Sequence, residues 1–168
     1  EDKSKLKVSV MIFGRPTPLE LEFDQVVVAT GAWSEKLLKQ LNYKLPIEAE
    51  RGYSLSMPLS DNEPSLLSRP VASAERKFII TPMNNMLRLS GTVEYAGLDA
   101  KANNKRADML KDNAAFILRS LPGQEAEQQT EQGADQERWM GCRPSLPDSL
   151  PVICQAPNHD KVFFALGH

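Results

Sequence analysis

An α+β fold, with a mixed and largely antiparallel sheet and one long helix, is what this sequence of 168 residues predicts. Three observations carry that expectation. Short apolar stretches with a period of two recur between residues 51 and 95, the mark of half-buried antiparallel strands. One stretch, residues 101–121, switches to helical spacing. A continuous β-branched run, QVVVATG at 25–31, departs from alternation and predicts a strand covered on both faces, as in parallel sheets.

Taken in order, residues 6–13 alternate loosely, FGRPTP supplies turn formers and LELEF resumes the alternation, which predicts a hairpin with a loop of several residues. After QVVVATG, Ser34 is placed to cap a short helix, with Glu35 in its first turn and Leu37, Leu38 and Leu41 along one side. Pro46 ends that pattern. RGYSLSMP at 51–58 is a strand with Tyr53, Leu55 and Met57 on one face, and residues 60–70, polar with two prolines, are a surface loop. FIIT at 78–81 and LRLS at 87–90 form a pair of strands across PMNN, and GTVEY extends the meander. In the long helix Ala107, Leu110, Ala114, Ile117, Leu118 and Leu121 share a face, and Pro122-Gly123 provide the stop. Residues 124–137 carry five acidic and no basic residues, which predicts a solvated loop. RWMGCRP, PVICQ and KVFFALGH supply the returning strands.

Composition narrows the function classes. With 41% hydrophobic and 25% charged residues and a net charge of −2, the chain is globular and lacks the basic excess of nucleic-acid-binding domains. It has no apolar run of the ~20 residues that span a bilayer and no signal-peptide pattern, so a cytoplasmic location is expected. Cys142 and Cys154 fit no zinc spacing; they are expected as reduced thiols, with a disulfide as the alternative. His159, in APNHDK, is expected as a solvated loop residue, and no metal site is predicted. The chain starts without methionine and stops just after VFFAL, which suggests a piece of a longer protein.

The residue that asks for an explanation is Arg143, set between Cys142 and Pro144 in WMGCRPSLPDSLPVI. Arginine keeps its charge in proteins, so it must reach solvent, pair with an acid such as Asp148, or receive an anionic ligand. Spacing alone leaves a structural ion pair and a ligand site equally open. Pro144 holds Arg143 extended.

The series VVVATGAWS, ERGYSLSMP, RLSGTVEYAG, the long helix with Arg106, RWMGCRPSLPDSLPVI and VFFALGH resembles the D-amino-acid dehydrogenase branch of the flavin-dependent family that includes D-amino-acid oxidase and glycine oxidase. The resemblance covers nearly the whole chain, in order. It implies a substrate-binding domain over residues 46–143, a remnant of the flavin-binding domain over 1–45, and strands returning toward that domain over 144–168. It implies that Arg143, in the position of a G-x-R-P arginine, receives the substrate α-carboxylate, which suits the bidentate geometry of a guanidinium. Tyr53 is implied as a helper, and Phe78 falls where several oxidases of the family carry a carboxylate-binding tyrosine; both also fit as ordinary core residues. The implied reaction is hydride transfer from a D-amino acid to FAD, followed by hydrolysis of the imine, with no general base nominated.

The resemblance departs at the cofactor. No G-x-G-x-x-G turn occurs in this chain, so only Thr30, Gly31, Gly167 and His168 are implied as cofactor-approaching positions, and the chain by itself is expected to bind no FAD and to be inactive. Glycine, sarcosine or another secondary amine is the alternative substrate class. A non-catalytic binding module using the acidic stretch is the alternative from another class. Side-chain specificity, oligomeric state, the electron acceptor (oxygen or a quinone) and peripheral attachment to the inner membrane are left open by the sequence.

Overall fold

The structure, a computed structural model, describes residues 5–12, 15–22, 24–59, 67–122 and 136–167. The chain divides into two compact units, residues 1–47 with 146–168 and residues 48–145. Both combine mostly antiparallel strands with short helices, an α+β arrangement.

In the first unit, β1 (Lys5–Ile12) and β2 (Arg15–Glu22) form an antiparallel hairpin. The loop between them is shorter than predicted, because β2 includes Pro16 and Pro18. Two prolines two residues apart have the ring nitrogens on one edge of the strand, so both fit a strand whose outer edge needs no donors. The β-branched run forms β3 (Val26–Val28), which pairs in parallel with β10 (Val162–Leu166), itself antiparallel to β9 (Val152–Gln155). Parallel pairing is as predicted, but coverage of both faces is not. Val28 is buried with Leu38, Phe164 and Leu166, whereas Val27 is largely exposed on the opposite side.

Ser34 is the first residue of α1 (Ser34–Gln40) rather than its cap. A 3-10 turn, Gly31–Trp33, precedes it, and the Ser34 hydroxyl donates to the Gly31 carbonyl at 2.7 Å. Glu35 pairs with Lys39 one turn on, and Leu38 enters the core while Leu37 packs at its edge. Tyr43 stands edge-on to Phe164, with 5.1 Å between ring centroids. Its hydroxyl meets His159 Nδ1 at 2.6 Å on an exposed turn.

The second unit is a five-stranded sheet in the order β5-β6-β7-β4-β8: β4 (Glu48–Pro58), β5 (Val71–Ser73), β6 (Phe78–Met83), β7 (Met86–Tyr95) and β8 (Glu137–Ser145). All its pairings are antiparallel. The β6–β7 strands run further than predicted, taking in Pro82, Met83 and Met86 and leaving Asn84 and Asn85 as the turn, with Asn85 at φ 51°. Asparagine tolerates that left-handed conformation.

α2 (Asn104–Ala115) covers one face of this sheet. Ala107, Leu110 and Ala114 interlock with Leu55, Met57, Phe78, Ile80, Leu87 and Leu89, and each fully buried large side chain contributes ~1.5–3 kcal/mol. The helix stops short of the predicted Leu121. Ile117 and Leu118 both bond back to the Ala114 carbonyl, and Leu121 folds into the same core instead of continuing the helix. Residues 60–66 of the expected surface loop, Gly123, and the acidic stretch through residue 135 lie outside the described residues. Among the described residues, no helix is long and apolar enough to cross a membrane.

Candidate functional site

The two faces of the five-stranded sheet differ in what they offer. Alternation along β4 sends Arg51, Tyr53, Leu55 and Met57 toward α2 and Glu50, Gly52, Ser54 and Ser56 to the opposite face. Pairing with β8 places Arg143 opposite Glu50, Gly141 opposite Gly52 and Trp139 opposite Ser54. Pairing with β7 adds Tyr95 beside Glu50 and Val93 beside Gly52. The face away from α2 therefore carries a row of Arg143, Glu50 and Tyr95 across three strands, followed by a row of two glycines and a valine.

At those glycines neighbouring side chains lie down on the backbone. A Cβ on Gly52 would lie 2.7 Å from Arg143 Nη2, and one on Gly141 would collide with the Trp139 ring. The guanidinium thus leans over Gly52 from one side and the indole over Gly141 from the other. Arg143 has 65% of its side chain exposed and pairs loosely with Glu50, Nη1 to Oε1 at 3.4 Å. The second Glu50 oxygen accepts from the Tyr95 hydroxyl at 3.3 Å. Asp148, the partner considered for Arg143 from sequence, instead accepts from the Leu150 backbone N–H. A cation that is largely exposed and has an aromatic ring nearby on the same face can receive a small carboxylate. Gly141→Ala is expected to swing Trp139 into solvent and shift its emission to the red in a Trp33→Phe background, with stability changed by less than ~1 kcal/mol; unchanged emission contradicts the packing described.

Tyr53 and Phe78 are not brought to Arg143. Both are buried on the α2 face, Tyr53 at 3% exposure and Phe78 within the hydrophobic cluster. The Tyr53 hydroxyl donates to Glu94 Oε1 and accepts from the Asn103 N–H at the start of α2, 3.0 Å away. Arg106, on α2, donates from Nε to Glu94 Oε2 at 2.9 Å and from Nη1 to the Thr92 hydroxyl and the Val93 carbonyl. Arg51, with no exposed side-chain surface, reaches the Ala100 carbonyl and lies 3.4 Å from Glu94. Among the described residues its Nε has no acceptor.

A β-bulge makes this network possible. The β4–β7 register slips between Gly52 and Tyr53, and Thr92 takes a left-handed φ of 53°. The extra residue rephases β7 so that Glu94, and not Val93 or Tyr95, points to the α2 face. Such a φ is strained for a β-branched residue, and Arg106 holds it through the Thr92 hydroxyl.

Burial, then the hydrogen bond to Glu94, raises the Tyr53 phenol above its ordinary 10.0. The Tyr53 hydroxyl, then Arg106 and Arg51, hold the Glu94 carboxyl below its ordinary 4.5 against the opposing effect of its burial. The signs follow from linkage. The Glu94 contribution to stability is present above pH 4.5 and is lost as pH falls through its lowered value; the Tyr53 contribution is present below pH 10 and is lost as pH rises through its raised value. In urea unfolding followed against pH, Glu94→Gln is expected to flatten the acid limb and Tyr53→Phe the alkaline limb. Limbs that keep their wild-type slopes contradict the network.

In the first unit, Thr30 and Gly31 follow β3, and Gly167 follows the parallel neighbour β10, so all three lie past the carboxyl ends of adjacent parallel strands, the edge where open α/β sheets take ligands. Gly31 (φ 57°) has nothing within 4 Å of where a Cβ would stand, which leaves its backbone open to close approach. Gly167 (φ 78°) is packed on Leu146. Thr30 Oγ1 meets Ser34 Oγ at 2.9 Å. His168 lies outside the described residues. The open backbone at Gly31 fits a position beside a dinucleotide cofactor. Cys142 and Cys154 are free thiols, and no cluster of potential metal ligands occurs among the described residues.

Comparison with known proteins gives these positions a setting. The family described as FAD dependent oxidoreductase matches residues 6–168, and the chain belongs to it. A D-amino-acid oxidase of Bradyrhizobium diazoefficiens is 34% identical over 149 residues, 89% of this chain and 33% of that protein. A D-amino acid dehydrogenase of Neisseria meningitidis serogroup C is 33% identical over 150 residues, 88% of this chain and 32% of that protein. In fold, the chain is similar to glycine oxidase from Geobacillus kaustophilus, with a TM-score of 0.71 at 23% identity over 89% of this chain and 37% of that one. The chain spans about a third of the length of the curated relatives it matches.

Sequence reasoning singled out Arg143 but missed Glu50, Gly52, Trp139 and Gly141 around it. The i, i+2, i+4 series Trp139, Gly141, Arg143 was a usable signal, since alternation puts all three on one face. Glu50 and Gly52 were not recoverable this way, because only the β4–β8 register sets them opposite.

Proposed function

We propose that the whole protein is an FAD-dependent D-amino-acid dehydrogenase or oxidase, and that Arg143 receives the substrate α-carboxylate on the sheet face opposite α2. The observation that carries this reading is the largely exposed Arg143 guanidinium lying over Gly52 on this face. It is supported by the family and by the activities for which the relatives are named, a D-amino-acid oxidase and a D-amino acid dehydrogenase.

In this reading FAD, when bound, accepts the hydride from the substrate α-carbon. The chain's own residues bind and orient. Arg143 fixes the carboxylate through paired N–H donors, which removes rotational freedom from the α-carbon. Gly52 and Gly141 let the Arg143 guanidinium and the Trp139 ring lie close against the sheet, so that both border the same patch of this face. Thr30, Gly31, Gly167 and His168 are the positions proposed to approach the cofactor. Tyr53 and Phe78 support the opposite face and make no substrate contact.

Anaerobic titration of the flavin-loaded whole protein tests the reading, with D-amino acids, their L-enantiomers, glycine and sarcosine as reductants. Bleaching of the flavin by D-amino acids alone is the expected result. Bleaching by glycine or sarcosine alone moves the substrate class to secondary amines and glycine, and a flavin that none reduces overturns the reading.

A further inference from the structure

The row Arg143, Glu50, Tyr95 contains a feature that carboxylate recognition does not require: a second carboxylate within reach of the first cation. Glu50 is held from both sides, by Arg143 at one oxygen and Tyr95 at the other, and keeps only 23% of its side chain exposed. A glutamate so placed favours one orientation of the guanidinium over others. Nη1 is turned toward Glu50 and Nη2 lies against Gly52, which leaves the solvent side of the guanidinium for a ligand carboxylate.

We propose that Glu50 is a positioning and specificity-determining residue, which aims Arg143 across Gly52 and, by its charge, makes the site select monocarboxylates over dicarboxylates. This rests on the reading of Arg143 as the carboxylate receiver. One negative charge on a ligand is neutralised by Arg143. A second, carried on a short acidic side chain, meets the Glu50 carboxylate with no further cation in the row to offset it. The positions next to Glu50 toward the glycines, Gly52, Val93 and Gly141, are uncharged; the other charges on this face are Glu48, two residues earlier on β4, which adds to the repulsion, and Arg88 and Glu137, on either side of Ser56 toward the far end of β4. Amino acids with neutral or cationic side chains escape the repulsion.

The test uses the flavin-loaded whole protein, wild type and Glu50→Gln. It compares KM for D-alanine with KM for D-aspartate, and the inhibition constants of acetate and malonate. Wild type is expected to favour D-alanine and acetate. Glu50→Gln keeps the shape and removes the charge, and is expected to narrow the monoacid-to-diacid ratio by roughly tenfold in both comparisons, within the range for one unit charge near another at a protein surface. The change is carried by KM, and it shrinks as salt is raised. A ratio that stays within twofold of wild type overturns the proposal while leaving Arg143 as the receiver. Failure of the underlying reading looks different: no amino acid reduces the flavin and neither acid competes, in wild type and variant alike.

Discussion

Arg143→Leu in the flavin-loaded whole protein is expected to lower kcat/KM for amino acids by about 10²–10³, chiefly through KM. Two charge-assisted hydrogen bonds at ~1.5–3 kcal/mol each supply an effect of that size. Stability is expected to hold, because the side chain is largely exposed and its 3.4 Å pairing with Glu50 is of the loose surface kind, worth ~0–1 kcal/mol. Arg143→Lys retains charge but loses the planar fork, and an intermediate KM is expected. Wild-type kinetics in the leucine variant exclude Arg143 from substrate binding. A KM rise accompanied by a collapsed unfolding midpoint assigns the residue a structural role instead.

The second large effect lies on the other face. Glu94→Leu removes the anion that Arg51, Arg106 and Tyr53 share. Arg51 is then a fully buried guanidinium with no counter-charge beside it, and its Nε already lacks an acceptor. Breaking one side of a buried pair costs far more than the pair contributes as a whole. The urea midpoint is expected to fall by roughly 2 M, read by circular dichroism. Restoring an apolar match with Arg51→Met in the same chain is expected to recover much of the loss, as replacement of whole buried ion pairs does elsewhere. A midpoint within ~0.3 M of wild type for Glu94→Leu contradicts the assignment of Glu94 as the shared anion.

What was legible in the sequence was mostly local. Alternation in RGYSLSMP correctly put Tyr53, Leu55 and Met57 on one face, and the helical spacing of Ala107, Leu110 and Ala114 gave the face of α2 that meets it. What was not legible depends on pairing between distant segments. Whether Tyr53 or Glu50 shares a face with Arg143 turns on a register between strands about ninety residues apart, and a shift of one residue reverses the answer. The bulge at Thr92 was equally hidden. Nothing in RLSGTVEYAG marks Thr92 as left-handed, because the conformation is held by Arg106 from another element. The end of α2 fell early for a similar reason, since Leu121 gains more by folding back into the core than the helix gains by another turn. That Arg143 needs a partner was readable, because arginine keeps its charge, but spacing left an ion pair and a ligand equally open.

The most direct measurement is a crystal structure of the flavin-loaded whole protein with a bound monocarboxylate such as acetate. The account predicts the carboxylate on the exposed side of Arg143, on the sheet face away from α2, with Glu50 still paired to Tyr95. A carboxylate bound at Tyr53 on the α2 face, or bound away from Arg143 altogether, contradicts it.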